Sequence, residues 1–121
     1  MTSNRPKNVV TIHPYFRMNP GREAECRALL REFVQQTKDE PGCLYYEFTI
    51  REDVIFCREG YRGAEGTLAH LANVEAIITR MLAISTLFRL EIHGPGTEID
   101  KLREPLSAMS PEFFVLECGV K

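Results

Sequence analysis

Apolar residues in this chain alternate between a spacing of two and a spacing of three to four, and the order of those segments restricts the fold. A spacing of two is typical of a half-buried strand, and the longer spacing is typical of a helix. Strand patterns cover Val9–Met18, Cys43–Arg51, Val54–Tyr61 and Leu87–His93, and helical patterns begin at Cys26 and Leu68. The predicted order is strand, helix, strand, strand, helix, strand. A short helix ending at Glu104 and a last strand, Phe113–Cys118, extend it.

Proline and glycine mark the limits of the first predicted elements. Asn19 and Pro20 suit the N-cap and first position of the first helix, and Pro41-Gly42 ends that helix. Pro14 interrupts the first strand. Because proline cannot donate to a ladder, we expect this strand at a sheet edge or with a bulge at Pro14.

Further polar residues indicate helix starts in the second half of the chain. Asn73 predicts the cap of a second helical piece, Val74–Ala83, after a first piece that begins near Arg62. Thr97 with Asp100 resembles a capping box at the start of the short helix.

The order β-α-β-β-α-β is that of a ferredoxin-like α+β domain, in which two helices cover one face of an antiparallel sheet. We expect a flexible arm at residues 1–8, a core over about 9–93 and an α-β extension over about 94–121, all in one domain. The strands carry apolar side chains on both faces, as where Tyr45 adjoins Tyr46. An uncovered apolar face favours association. We therefore expect a homodimer whose two sheets form a dimeric α/β barrel around a small apolar aromatic ligand.

Composition excludes several classes of function. The chain has 121 residues, a net charge of −2 and no basic stripe, which argues against binding to nucleic acid. We find no run that approaches the roughly 18 apolar residues of a membrane helix. The polar start of the chain lacks the apolar centre of a signal peptide, so we expect a cytoplasmic protein without membrane contact.

Cysteine and histidine spacing argues against a metal site. Cys26, Cys43, Cys57 and Cys118 include no Cys-x-x-Cys pair, and in a reducing compartment we expect free thiols. The three histidines, His13, His70 and His93, lie far apart in the sequence and form no ligand pair, so no metal is expected.

Four segments carry a family resemblance. Residues 40–47, Glu-Pro-Gly-Cys-Leu-Tyr-Tyr-Glu, open the second predicted strand, and residues 56–61, Phe-Cys-Arg-Glu-Gly-Tyr, form the third. Ala64 and His70-Leu71 follow on a helix, and Pro20-Gly21 precedes the first helix. This ordered set, over about residues 9–85, resembles the antibiotic biosynthesis monooxygenase family. The chain departs from the family in having Glu75 near the place of a second histidine and in having no tryptophan.

The resemblance implies an activity. Members of the family form dimers of ferredoxin-like subunits, and some oxidise quinols or polyketide aromatics with O₂ without a metal or bound cofactor. The resemblance thus implies that this chain is a cofactor-independent monooxygenase that oxidises a quinol-like or phenolic compound. Such a reaction needs an apolar pocket, a base for the phenolic proton and donors for the oxyanion.

His70 is the first candidate for the base, because it matches the family's position and histidine titrates near neutral pH. Glu59 is expected to orient His70 through a hydrogen bond. The structural alternative is a helix-packing His70 bonded to Glu59, or a Glu59 paired with Arg58 or Arg62.

Four further residues are candidates for binding the substrate. Tyr61, Tyr46 and Phe48 offer flat apolar faces for a pocket, although aromatic residues in strands also serve as plain core. His13 on the first strand is another potential donor.

Three other functions remain open from the sequence. The missing second histidine and tryptophan favour a non-catalytic module that binds a small apolar molecule in the same barrel. Haem binding or degradation is a further alternative, which the absence of tryptophan weakens. A dimer whose barrel is filled by side chains, without any ligand, is the last.

Overall fold

The computed structural model describes residues 7–120, and this part of the chain contains five strands, three α-helices and one 3-10 turn. They are β1 (Val9–Met18), α1 (Glu23–Thr37), β2 (Cys43–Arg51), β3 (Val54–Arg62), α2 (Gly63–Ile84), β4 (Ser85–Gly94), α3 (Gly96–Leu102), the 3-10 turn (Ser107–Met109) and β5 (Glu112–Val115). The predicted α+β class and element order are confirmed. The arm predicted at residues 1–8 lies outside the described residues as far as residue 6.

The strands form one sheet in the order β2-β3-β1-β4-β5. β1 pairs antiparallel with β3 and β4, and β2 pairs antiparallel with β3, which is the ferredoxin-like arrangement. The extension adds β5 at the edge, parallel to β4. A parallel neighbour needs a crossover connection, and α3 with the 3-10 turn supplies it.

Pro14 lies in a central strand, so the expectation of an edge position was wrong. Its neighbour on the β4 side is Leu90, and the register against β4 shifts directly afterwards, between Tyr15 and Phe16. This irregularity confirms the alternative of a bulge, one residue beyond Pro14. On the other side of β1, the pairs with β3 stop at Ile12 and resume at Tyr15, as expected for a proline that cannot donate to a ladder.

Each strand divides its side chains between a face covered by α1 and α2 and an open face. In β1 the even-numbered residues are buried, whereas the odd-numbered residues are partly buried or exposed. One core cluster includes Phe16, Leu29, Phe33, Ile55 and Met81 from α1, α2 and the sheet. A second cluster, to which the extension contributes, includes Val10, Tyr61, Ile92, Ile99 and Leu102.

Helix α1 begins three residues later than predicted, at Glu23 instead of Pro20. Asn19 still belongs to the segment that leaves β1, because its backbone N–H donates to the carbonyl oxygen of Ile84 at 3.0 Å. Gly21 then adopts a φ of 82°, which a helix cannot include, so the chain turns there. The N-cap position is Arg22, without a side-chain cap.

Helix α2 is continuous over 22 residues, so the cap predicted at Asn73 was wrong. Asn73 lies inside the helix, and its side-chain Nδ2 donates to the Glu40 carboxylate and to the backbone oxygen of Gln36. The polar side chain therefore joins α2 to the end of α1 and the loop after it, instead of starting a helix.

The extension also differs from its predicted limits. The N-cap position of α3 is Pro95 and has no side-chain cap, so the capping box predicted at Thr97 and Asp100 was wrong. Strand β5 stops at Val115, although the Leu116 N–H still donates to the carbonyl oxygen of Gly94 at 2.8 Å. Pairing ends there because β4 itself ends at Gly94.

By length and composition, α2 is apolar enough to cross a membrane. In the fold its residues Val74, Ile77, Met81 and Ile84 belong to the buried core cluster formed with α1 and the sheet.

Candidate functional site

A cluster of buried polar side chains lies between the sheet and α2. β3 directs Cys57, Glu59 and Tyr61 to the helix-covered face, because alternate residues of a strand share a face. His70 of α2 is opposite them and only 2% exposed. Tyr46 of β2 pairs with Glu59 in the ladder and so joins the same face.

His70 lies between two carboxyl groups. Its Nδ1 is 2.9 Å from Glu40 Oε2 and 3.1 Å from Oε1, while its Nε2 is 3.5 Å from Glu59 Oε1. Burial lowers the pKa of His70, and the Glu40 carboxylate opposes that effect only in part. The imidazole is consequently neutral near pH 7, with a nitrogen that can accept a proton.

Glu59 is a buried carboxyl group with an unusual proton affinity. Burial raises its pKa to about 7, and the nearby Glu40 adds to the rise. Hydrogen bonds from Tyr61 and Cys57 act in the opposite direction, and the Tyr61 hydroxyl donates to Oε1 at 2.5 Å. Near neutral pH, Glu59 is thus able both to hold and to release a proton.

Aromatic rings surround His70. The ring centroids of Tyr61 and Tyr46 are 4.8 Å and 5.0 Å from that of His70, and Phe48 lies 5.2 Å from Tyr46. Burial, reinforced by Glu59, raises the pKa of both tyrosines, which keeps their hydroxyls protonated. The structure therefore brings together five of the six predicted site residues, all except His13.

His13 lies on the open face of the sheet, away from His70. Its Nε2 is 2.8 Å from the Thr11 hydroxyl, and its ring is 4.6 Å from that of His93. Burial, followed by the charge of His93, lowers its pKa, and Glu91 opposes this. His13 can contribute only to a ligand on the open face.

That open face carries a row of rings across four strands. Phe56, His13, His93 and Phe114 follow one another with centroid separations of 6.0, 4.6 and 4.4 Å. A cavity of about 400 Å³ adjoins the row near the β2–β3 turn, where Tyr15, Phe56 and Arg17 contribute to its wall. The face is therefore aromatic and only partly exposed, as the two-sided strand pattern predicted.

The sequence of residues 9–75 matches the sequence model of the family described as antibiotic biosynthesis monooxygenase. The chain belongs to that family. The match includes β1 to the middle of α2 and hence Glu40, Glu59 and His70, and it stops before β4 and the extension.

Solved structures agree with this membership. MupZ from Pseudomonas fluorescens is 37% identical, covers 93% of both chains and has a TM-score of 0.89. Rv0793 from Mycobacterium tuberculosis is 20% identical over 72% of this chain and 94% of its own, with a TM-score of 0.64. A structure named antibiotic biosynthesis monooxygenase is 17% identical over 69% and 92%, with a TM-score of 0.61. The last two show the fold alone. No curated protein sequence matches the chain.

Two residues of this family member's site were not identified as site residues from its sequence. Glu40 forms the closest contact to His70, yet it precedes Pro41 in a loop and belongs to no periodic pattern. Asn73 holds Glu40 at 2.7 Å. The spacing of His70 and Asn73 was an available signal, because residues three apart on a helix lie on one side.

Side chains of the types that bind metal ions are present among the described residues but are not grouped around a metal site. Within residues 7–120, no group of three or more histidine, cysteine, aspartate or glutamate side chains is arranged to hold a metal ion. The four cysteines are free, and burial raises the pKa of Cys57, so its thiol remains protonated. The chemistry available to the cluster is proton transfer by His70 and Glu59, with Tyr61 as a hydrogen-bond donor to Glu59.

Proposed function

We propose that the protein is a monooxygenase that oxidises a quinol-like or phenolic aromatic compound with O₂ and needs no bound cofactor. Family membership supports an oxygenase or a small-molecule-binding protein of this fold. The observation that carries the proposal is a buried, neutral His70 whose Nδ1 is held by a carboxylate and whose Nε2 is directed to Glu59.

The proposed chemistry begins with proton transfer. His70 Nε2 takes the phenolic proton, because the phenolate gives electrons to O₂ more readily than the phenol does. Protonated Glu59 donates to the oxygen on which negative charge develops, and Tyr61 supports it by donating to Glu59 Oε1. For a hydroquinone, one O atom of O₂ enters the ring and the other leaves as water. The product is a hydroxyquinone, and the substrate itself supplies all four electrons.

Substrate access requires movement. His70 and Glu59 are 2% and 5% exposed, so a ring reaches Nε2 only when the aromatic side chains of Tyr46, Tyr61 or Phe48 move aside. Turnover therefore includes an opening step, and we expect product release to be slow relative to proton transfer.

Oxygen uptake with a panel of hydroquinones tests this function. We expect uptake by the wild type and a fall of about 100-fold or more in His70→Gln, since removing a general base costs this much. Glu75→Gln, an exposed carboxyl on the same helix, is the control and should match the wild type. A wild-type protein that consumes no oxygen with any member of the panel contradicts the proposal.

A second copy of the chain is the proposed partner. The open face exposes Tyr45, Phe88 and Phe114 by 43%, 47% and 40%, which is unusual for large apolar side chains of a monomer. A two-fold dimer covers this face and completes a barrel. Sedimentation at micromolar concentration should give a dimer, and a stable monomer argues against it.

The aromatic row and cavity of the open face favour one further candidate, a binding protein without catalysis. In that case a hydroquinone binds with no oxygen uptake, and His70→Gln leaves its affinity unchanged. Calorimetric titration of both proteins distinguishes this from the oxygenase, for which His70 contributes to binding and turnover.

A further inference from the structure

We infer that Glu40 and Asn73 are positioning residues that fix the proton of neutral His70 on Nδ1 and so make Nε2 the basic atom of the site. This inference deepens the proposed function and rests on it for the role of Nε2. Neither residue touches the reacting atoms; both act through the imidazole of His70.

The Glu40 carboxylate determines which nitrogen carries the proton. An ionised carboxylate only accepts hydrogen bonds, and both of its oxygens lie within 3.1 Å of His70 Nδ1. A lone pair on Nδ1 at that distance would face a negative charge. The tautomer with hydrogen on Nδ1 is therefore strongly favoured, and the lone pair is on Nε2.

Asn73 keeps the carboxylate in place. Its Nδ2 donates to Glu40 Oε2 at 2.7 Å and to the Gln36 backbone oxygen at 2.9 Å, while Gln36 Nε2 donates to Asn73 Oδ1 at 2.8 Å. With one amide nitrogen and one amide oxygen both engaged, the orientation of the Asn73 side chain is determined. Glu40 is thus fixed relative to α2, although it lies in a loop.

The surroundings of Nε2 leave its lone pair available. Glu59 Oε1 is 3.5 Å away, longer than an ordinary hydrogen bond, and accepts instead from Tyr61. The rings of Tyr46 and Tyr61 contact the imidazole and limit its rotation. The titratable groups that face His70 or adjoin those neighbours are Glu40, Glu59, Tyr46, Tyr61 and Cys57.

Glu40→Gln tests the inference with little change of shape. Because Asn73 Nδ2 donates to the Oε2 position, the new amide oxygen should occupy that position and the new NH₂ group should take the Oε1 position, 3.1 Å from His70 Nδ1. The lost charge and the new N–H donor weaken the preference for hydrogen on Nδ1, so part of the His70 population should carry hydrogen on Nε2 instead. Glu40→Asp retains the charge and should restore the original tautomer in part.

Long-range ¹H–¹⁵N NMR of the resting protein distinguishes the two tautomers. We expect hydrogen on Nδ1 in the wild type and in the control Glu75→Gln, and a detectable fraction with hydrogen on Nε2 in Glu40→Gln. Hydrogen on Nε2 in the wild type overturns the inference, and so does an unchanged tautomer in a folded Glu40→Gln. The wild-type spectrum decides the first point even if the variant does not fold.

Kinetics separate positioning from a purely structural role. With a hydroquinone that the wild type oxidises, Glu40→Gln should lower kcat about 100-fold with little change in KM. The acidic limb of the kcat–pH profile of this variant should move to lower pH, because the substitution removes the Glu40 charge that raises the pKa of His70. An altered tautomer with wild-type kcat overturns the inference. Absence of oxygen uptake by the wild type refutes the proposed function only, since the NMR result stands without substrate.

Discussion

Glu98 Oε1 accepts a hydrogen bond of 2.9 Å from the backbone N–H of Ala64, in the first turn of α2. Arg62, at the N-cap position of that helix, provides no side-chain cap. The extension thus caps the helix that carries His70, from 34 residues further along the chain. A carboxylate at this end also opposes the helix dipole.

We predict that Glu98→Ala lowers the free energy of unfolding by about 1 kcal/mol, the usual effect of removing a helix cap. The hydrogen bond from Ala64, and then that from Lys101, lowers the pKa of Glu98. The stabilisation by Glu98 is therefore complete at pH values above the pKa of this carboxyl in the unfolded chain. It is lost as the pH falls through the pKa of Glu98 in the folded protein. Urea unfolding at pH 7 and pH 3 measures both effects. Glu104→Ala, an exposed neighbour, should change neither.

The raised pKa of Glu59 predicts a stability that depends on pH in the opposite sense. Between the ordinary carboxyl pKa and about 7, the unfolded chain releases this proton and the folded protein retains it. Stability should therefore fall as the pH rises through this window, by at most about 3 kcal/mol. Glu59→Gln removes the effect and should be more stable than the wild type at pH 8. Equal dependence on pH in the two proteins contradicts this.

Tyr61→Phe should move the titration of Glu59. The Tyr61 hydroxyl donates to Glu59 and stabilises its ionised form, so removal of the hydroxyl should raise the carboxyl pKa above about 7. The ¹³C shift of the Glu59 side-chain carboxyl, followed from pH 5 to pH 9, reports the change. Tyr15→Phe, on the open face, serves as the matched control and should leave the curve unaltered.

A close contact between Gly42 and Gly66 brings the Glu40 loop against α2. A Cβ at Gly42 would lie 2.9 Å from the Cα of Gly66, and backbone atoms cannot move aside as a flexible side chain does. We predict that Gly42→Ala costs about 1–3 kcal/mol, as overpacking does, and weakens the Glu40–His70 contact. Thermal unfolding measures the cost. Gly119→Ala, where no atom lies within 4 Å, should be neutral.

Much of the fold followed from local patterns. Period-two and helical spacing predicted the strands and helices, and the order of elements then determined the sheet. One error occurred where a side chain has distant partners. Asn73 resembles a cap in sequence, but its partners Gln36 and Glu40 precede it by 37 and 33 residues. Such pairing leaves no periodic signal.

The part of the candidate site that lies on strands was predictable, because side chains alternate between the two faces of a sheet. Glu59 and Tyr61 share a face because they are two apart, and the ladder adds Tyr46. The same rule separates His13 from the buried residues Ile12 and Phe16, so its position on the open face could have been inferred. Glu40 could not have been inferred in this way, because it lies in a loop outside any strand or helix pattern.

The alternation of β1 makes two adjacent residues subject to different selection. Ile12 closes the interior beside Glu59 and Tyr61, whereas His13, the next residue, belongs to the open face, the proposed surface for a ligand or a second subunit. Under the proposed function, substitutions at odd-numbered positions of β1 change the proposed recognition surface while the buried proton-transfer groups stay in place. The two proposed roles can then change independently of each other.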